Sequence, residues 1–212
     1  GVSSISGLGL GDMLDAVATA IKGIKAVPIP KAQGISVSIL GKPNVGKSSI
    51  LNAILNEERV IVSSIPGTTR TAIDTHIKIG QQDYTFIDTA GLKRKDHKQS
   101  QPDVFSGFQT FKALRRSDIA FLVIDAAQEI TKQDQHLAQE IFNMDKGIII
   151  VANKMDTYVG SEDALREYIS SHLPFLWMSP LFFVSAKNKT GLTEVLASIE
   201  PIFKNRHKEV DE

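Results

Sequence analysis

At about 150 residues per domain, a chain of 212 residues, 42% hydrophobic and 23% charged, is one domain plus an additional piece, and this composition excludes disorder over most of its length. The absence of cysteine excludes a disulfide framework and a thiolate metal centre, and it fits a reducing compartment, with the cytoplasm as the expected location. Lysine plus arginine balance aspartate plus glutamate at 24 each, so nothing global favours nucleic acid and any RNA contact must be local; no apolar run approaches the roughly 20 residues of a membrane span.

Residues 1–21 end in an amphipathic helical pattern with Leu10, Met13, Leu14 and Val17 on one face. Residues 22–34 read as a linker, broken by Gly23, Pro28, Pro30 and Gly34. Strand-like runs then alternate with helical patterns: Ile35 to Leu40, Ile73 to Ile79, Tyr84 to Ile87, Ile119 to Ile124, Gly147 to Ala152 and Leu181 to Val184. The alternation predicts an α/β domain over 35–206, with three layers around a mostly parallel six-stranded sheet. Only Gly80 to Asp83 separates the second run from the third, which predicts a hairpin and one antiparallel edge strand. Between the first two runs, Asn56 to Ala72 reads as a long unpatterned loop, expected to be mobile. Helices are predicted at Thr131 to Asn143, opening on a Thr131/Asp134 capping box, and at Leu192 to Phe203, with Leu192, Val195, Leu196, Ile199 and Phe203 on one face. Trp177 and its Phe and Leu neighbours are expected to fill the core beside the last strand.

The two ends of the chain repeat one another. Residues 2–17 align without a gap on 184–199, and Leu10, Met13, Leu14 and Val17 reproduce the face made by Leu192, Val195, Leu196 and Ile199. Residues 1–21 therefore read as the last helix of a preceding copy of the same domain, and the chain as a fragment of a tandem-domain protein. A chance likeness between two short amphipathic helices is the alternative.

Chemistry starts after the first strand. Gly41-Lys42-Pro43-Asn44-Val45-Gly46-Lys47-Ser48 fits G-x-x-x-x-G-K-[ST], with a strand before it and a helix after it. Its glycines let backbone N–H groups wrap a phosphate at a helix N-terminus, where the dipole also favours negative charge. Lys47 is placed to reach the β- and γ-phosphates and the Ser48 hydroxyl to bind magnesium, with Ser49 completing the set at the helix start. Asp88-Thr89-Ala90-Gly91 follows the strand Tyr84 to Ile87. There the Asp88 carboxylate can hold magnesium through water, and the Gly91 N–H can sense a γ-phosphate.

A third element selects the base. In Asn153-Lys154-Met155-Asp156, Asp156 can accept from guanine N1–H and the N2 amine, and adenine offers neither donor. Lys154 can lay its stem on the base plane, and Asn153 can support the loop. Ser185-Ala186-Lys187, after the last strand, adds backbone N–H groups for the guanine O6.

On these residues, together with Pro66-Gly67-Thr68-Thr69-Arg70 and the run from Asp88 to Lys95, the chain resembles the Der (EngA) tandem-domain GTPases of the Era/MnmE (TrmE) group. The likeness is to their second GTPase domain preceded by the tail of the first. It implies a P-loop GTPase (Ras-like) fold, a role in assembly of the large ribosomal subunit through that subunit or its rRNA, and no membrane partner. It also implies that the first GTPase domain and a KH-like domain are missing, residues 207–212 being only a tail; a monomer is expected. The resemblance further implies that Thr69, or Thr68, closes on magnesium and the γ-phosphate, and that Asn44 helps hold a potassium ion that supplies positive charge during hydrolysis. Asn44, Lys47, Thr69 and Gly91 form the implied catalytic set. The family pattern has an aspartate where this chain has Thr71, which leaves that contact in doubt.

Where Ras-like enzymes carry a water-orienting glutamine this chain has Leu92, so intrinsic hydrolysis is expected to be slow. Asn44 as a loop-geometry residue, and Arg70 as an arginine finger, are the competing readings. Lys93 to Lys98 form a basic run suited to RNA phosphates or to a solvated loop. The five histidines show no ligand spacing. Alternative functions are an MnmE-like or Era-like domain acting on tRNA or small-subunit RNA, a nucleotide-binding interaction module with little hydrolysis, and an ATP-using P-loop enzyme, which Asn153 to Asp156 oppose.

Overall fold

The computed structural model describes residues 9–21, 34–63, 74–89, 92 and 111–208. The chain divides into two units, Gly1–Lys31 and Ala32–Glu212. The first contains helix α1 (Leu10–Ile21), which follows Gly9 at φ 74° and begins with the Met13 N–H donating to the Gly9 carbonyl at 3.1 Å.

The second unit is built on β1 (Ile35–Leu40), α2 (Lys47–Leu55), β2 (Val60–Ser63), β3 (Thr75–Ile79), β4 (Gln82–Phe86), β5 (Ile119–Asp125), α3 (Lys132–Asn143), β6 (Gly147–Asn153), α4 (Glu162–His172), β7 (Leu181–Phe183) and α5 (Leu192–Arg206). The strands form one sheet in the order β2-β3-β4-β1-β5-β6-β7. β1 pairs in parallel with β4 and β5, and β5 with β6 and β6 with β7 do the same.

Every residue of β1, β5 and β6 is buried, because helices cover both faces of a parallel sheet. Alternate residues supply two cores. Ile119, Phe121 and Val123 face Ile50, Leu51 and Ile54 of α2 and Val195 and Ile199 of α5, with Phe86 meeting Phe121 edge to face at 6.1 Å. Ala120, Leu122 and Ile124 face Ala138 and Ile141 of α3 and Leu165 and Ile169 of α4. The strand period of two and the helix spacing of three and four thus close three layers around one sheet.

The expected class of fold is present, and the sheet differs from expectation on its β2-β3-β4 side. Among the described residues it has seven strands, not six, because Val60–Ser63 adds β2 inside the stretch read as a loop. The antiparallel strand is β3, which β2 covers, so it does not form the edge. β2 carries no alternation to read: Ile61 and Val62 are adjacent and both exposed, at 65% and 53%, and the β-branched run Val60 to Val62 is fixed as a strand by pairing with Ile79 to Ile77. The hairpin is tighter than expected, since Ile79 faces Gln82 directly and Gly80, at φ 61°, makes the turn.

The capping box at α3 forms as read, with both Thr131 and Asp134 contributing. Trp177 does not fill the core. It is 80% exposed, while Leu173 and Leu176 on the short 3-10 turn beside it are buried in its place. A helical turn offers only part of its circumference to the sheet, and the two leucines occupy it.

Candidate nucleotide-binding site

The functional motifs converge at the carboxyl ends of β1, β4, β6 and β7, the end of an open parallel sheet where ligands collect. β1 runs into Gly41, whose close approach to the neighbouring strand excludes a side chain: a Cβ there would stand 2.3 Å from the Val123 carbonyl oxygen. Gly46 caps α2 at φ 97°, and its Cβ would stand 2.2 Å from Asn153 Nδ2. Asn44 takes the left-handed conformation at φ 65° and is exposed. Lys47 Nζ lies inside the curve of the loop, donating to the Gly41 carbonyl at 2.7 Å and to that of Lys42. Ser48 Oγ donates to the Leu92 carbonyl at 2.7 Å, which holds the chain after Asp88 against the start of α2. Val45 is buried in the core beneath the loop, whereas Pro43 and Ser49 are exposed.

The base-side loops are joined to this one by a single amide. Asn153 Nδ2 donates to the Val45 carbonyl at 2.9 Å, and Asn153 Oδ1 accepts from the Ala186 N–H at 3.1 Å. The Ala186 N–H expected to face the base is therefore turned to Asn153. Lys154 sits at φ 67°, and its ammonium pairs with Asp125 at 2.7 Å, which extends its stem along the loop. Met155 N–H donates to the Val184 carbonyl at 3.1 Å. Asp156 Oδ1 accepts from Ser185 Oγ at 2.6 Å, and Lys187 Nζ stands 3.7 Å from Oδ2. The Ser185 hydrogen bond holds the Asp156 carboxyl below its ordinary range, with a smaller contribution from Lys187 and against the desolvation that raises it. Its carboxylate is thus kept ionised, as an acceptor for ring N–H donors must be.

At the end of β4, Asp88 adopts φ 55°, and its N–H donates to Asp74 Oδ1 at 3.0 Å; Asp74 is in turn held by the Arg116 guanidinium. Thr89 Oγ1 meets Thr75 Oγ1 at 2.7 Å in the interior. Thr68, Thr69, Arg70, Thr71, Ala90, Gly91 and the basic run Lys93 to Lys98 lie outside the described residues.

Three participants escaped the motif reading. Lys42 Nζ pairs at 2.7 Å with the buried Asp134, so the capping residue of α3 also clamps the phosphate loop. Asp125 ends β5 one residue beyond its expected limit and anchors Lys154. Asp74 with Arg116 supports the Asp88 backbone. The capping role of Asp134 is legible in the sequence, but its pairing with Lys42, 92 positions away, is not. The other two are contacts across 29 and 42 positions.

A mostly parallel sheet carrying this phosphate loop after β1, with an N-K-x-D turn at the same end two strands away after β6, defines a P-loop GTPase. The chain belongs to the 50S ribosome-binding GTPase family, whose pattern matches residues 36–154. It is similar to GTPase Der of Thermosynechococcus vestitus, 40% identical over 213 residues that cover 99% of this chain and 47% of that protein. It is also similar to GTPase Der of Staphylococcus saprophyticus, 40% identical over 212 residues, 99% of this chain and 48% of that one. The chain therefore spans about half the length of the curated relatives it matches. Among solved structures, Era in complex with MgGDPNP and nucleotides 1506–1542 of 16S ribosomal RNA shares the fold, with TM-score 0.58, 24% identity and coverage of 85% of this chain and 59% of that one. Elongation factor SelB from Methanococcus maripaludis does so with TM-score 0.60 at 16% identity, over 84% of this chain and 35% of that one. Among the described residues, no helix is long and apolar enough to cross a membrane.

Proposed function

We propose that this chain is a GTP-hydrolysing switch that works in assembly of the large ribosomal subunit, in the cytoplasm and as a monomer. The observation that carries the nucleotide reading is the Asn153 amide, which ties the phosphate loop at Val45 to the base-side loop at Ala186 and holds the two recognition elements at fixed separation. Phosphates lie over the backbone N–H groups between Asn44 and Ser49, with Lys47 neutralising the terminal ones. Guanine lies against Lys154, reads Asp156 through its N1–H and N2 amine, and is bordered by Ser185, Ala186 and Lys187. The ionised state of Asp156 and its Ser185 partner favour this reading over adenine.

A hydroxyl at Ser48 and a carboxylate at Asp88 are hard oxygen donors of the kind magnesium takes, and Thr69 is the third candidate. When bound, the metal neutralises charge that develops on the phosphates. Asn44 is the residue proposed to hold potassium. It is exposed on the loop and holds the left-handed conformation. Gly91 is proposed as the γ-phosphate sensor.

The ribosomal role rests on the family's description, on about 40% identity to GTPase Der, and on the RNA-bound Era relative. Because the match covers about half of each Der protein, residues 1–21 are proposed as the end of a preceding GTPase domain and residues 22–34 as a linker; a KH-like domain would belong to the remainder.

The test is turnover of GTP and ATP in potassium and in sodium at matched ionic strength, for the unaltered chain and for Asn44→Ala. Potassium-stimulated, Asn44-dependent hydrolysis of GTP alone is the expected result. Hydrolysis equal in both salts would overturn the potassium assignment, and equal use of ATP would overturn the base reading. Asp156→Asn should exchange guanine preference for xanthine.

A further inference from the structure

We propose that the end of the sheet opposite the nucleotide site, at the amino ends of β5 and β6, is an RNA-binding surface formed by Lys112, Arg115, Lys146 and Arg206. The inference rests on the RNA-associated reading above and names the surface that would carry it. The four cations come from three separate parts of the chain that lie at this end of the sheet. Lys112 and Arg115 are one turn apart on the exposed side of the helical segment 111–116. Lys146 Nζ reaches the Arg115 carbonyl at 3.5 Å. Arg206, at the end of α5, donates to the Asp118 carbonyl at 2.8 Å and to that of Asp145, just ahead of β5 and β6. The Lys146 ammonium is pushed below its ordinary range, first by burial and also by Arg206, while Asp118 opposes the shift.

In a chain with no net charge, this concentration is a local excess. Among the described residues, carboxylates pair with Lys42, Lys154, Lys187, Lys204 and Arg116, and with none of these four. Of the nearby acids, Asp118 spends Oδ2 on the Ser36 N–H at 2.9 Å and the Ser36 hydroxyl at 2.6 Å and acts on Lys146 without forming an ion pair with it. Asp145 remains exposed, and the cations still outnumber the acids.

An aromatic platform favours RNA over an acidic protein segment. The Arg115 guanidinium lies over the Phe111 ring at 5.7 Å, and Phe111 is 45% exposed. A guanidinium within cation–π distance of a half-exposed ring offers flat surface to an unpaired base beside cations that take its phosphates. An acidic peptide would use the charges and leave the ring idle. β5, seven residues long, places this surface about 20 Å from the nucleotide end, so the two sites do not share side chains.

The test uses the full 212-residue chain and a fluorescently labelled hairpin RNA with a single-stranded loop, with binding followed by anisotropy across a salt series. Lys112→Glu with Arg115→Glu should weaken binding about tenfold or more at 0.1 M salt, and should reduce the salt slope by about 0.7–0.9 for each phosphate that is no longer neutralised. GTP turnover should stay unchanged. Lys78→Glu with Lys132→Glu makes the same change of charge on exposed lysines elsewhere and should leave RNA affinity within about twofold. If the first pair fails to fold by circular dichroism, Lys146→Gln replaces it, with a smaller loss of the same kind. Equal weakening by both pairs, or no weakening by the first, overturns this surface while leaving the GTPase reading intact. Capture of poly-glutamate by this face with no RNA binding overturns the RNA assignment in favour of an acidic protein partner. Loss of GTP turnover in every form, the unaltered chain included, would strike the proposed function instead.

Discussion

The phosphate side and the base side of the site are built on different principles. The phosphate loop is local: eight consecutive residues close on themselves through Lys47 and the carbonyls of Gly41 and Lys42, at the start of a helix whose dipole supplies the rest. The base side is assembled from distant pieces. Asn153 reaches Val45 across 108 positions, Ala186 reaches Asn153 across 33, and Lys154 reaches Asp125 across 29. A local loop can be lost by one change within it. An assembled site loses its geometry when a tie anywhere in it is cut, and part of that loss appears as stability.

Removing the loop's own charge should produce the largest effect. Lys47→Ala should lower GTP turnover by about 10²–10³-fold, the usual cost of deleting a preorganised electrostatic partner, with little change in thermal midpoint. Retained turnover would show that the loop does not depend on it. Lys42→Met should do the reverse. It leaves Asp134, already with one oxygen lacking a protein partner, buried without its cation, at a cost of about 3 kcal/mol in stability by denaturant titration. Restoring stability with the double variant Lys42→Met/Asp134→Asn would locate the penalty in the stranded charge.

Asn153→Ala cuts the tie between the two sides and leaves the Val45 carbonyl and Ala186 N–H unsatisfied. A loss of about 1–3 kcal/mol should appear together in stability and in GDP affinity measured by calorimetry. A loss in affinity alone would mean that the two sides are not mechanically coupled. For pH, the sign follows from Asp156, whose folded carboxyl titrates below its ordinary value of 3.8. Its contribution is complete above the unfolded value and is lost only as pH falls through the lower folded one. GDP affinity should therefore stay flat from pH 7 to about 5, and a fall in that window would assign the titration to another group. The smallest effect belongs to Trp177→Ala. At 80% exposure this side chain should contribute no more than about 0.5 kcal/mol, as a thermal melt would show.

Much of the fold is legible in the sequence wherever the signal is contiguous. β5 and β6 are near-continuous apolar runs because both faces are buried, β1 interrupts its run only with the buried Ser36 and Ser38, and the limits of all three are read to within a residue. The α3 capping box is equally plain, since Thr131 and Asp134 lie three positions apart. β2 is less legible, because its β-branched residues Val60 to Val62 show no alternation and pairing with β3 is what fixes them as a strand. Trp177 misleads for a related reason. Hydrophobicity predicts burial on average, but which side of a short turn meets the sheet depends on Leu173 and Leu176 competing for the same space.

By itself, the sequence determines the class of protein and the identity of its phosphate loop, because those depend on backbone conformations and dipoles that neighbouring residues control. It also determines the guanine-type turn as a string of residues. Tertiary structure alone decides that Asn153 joins that turn to the phosphate loop, that Asp134 serves Lys42 as well as its own helix cap, and that Arg115, Lys146 and Arg206 meet at the far end of the sheet. These contacts are long-range and their energies are electrostatic. They depend on distance and burial, which no local pattern of residues encodes.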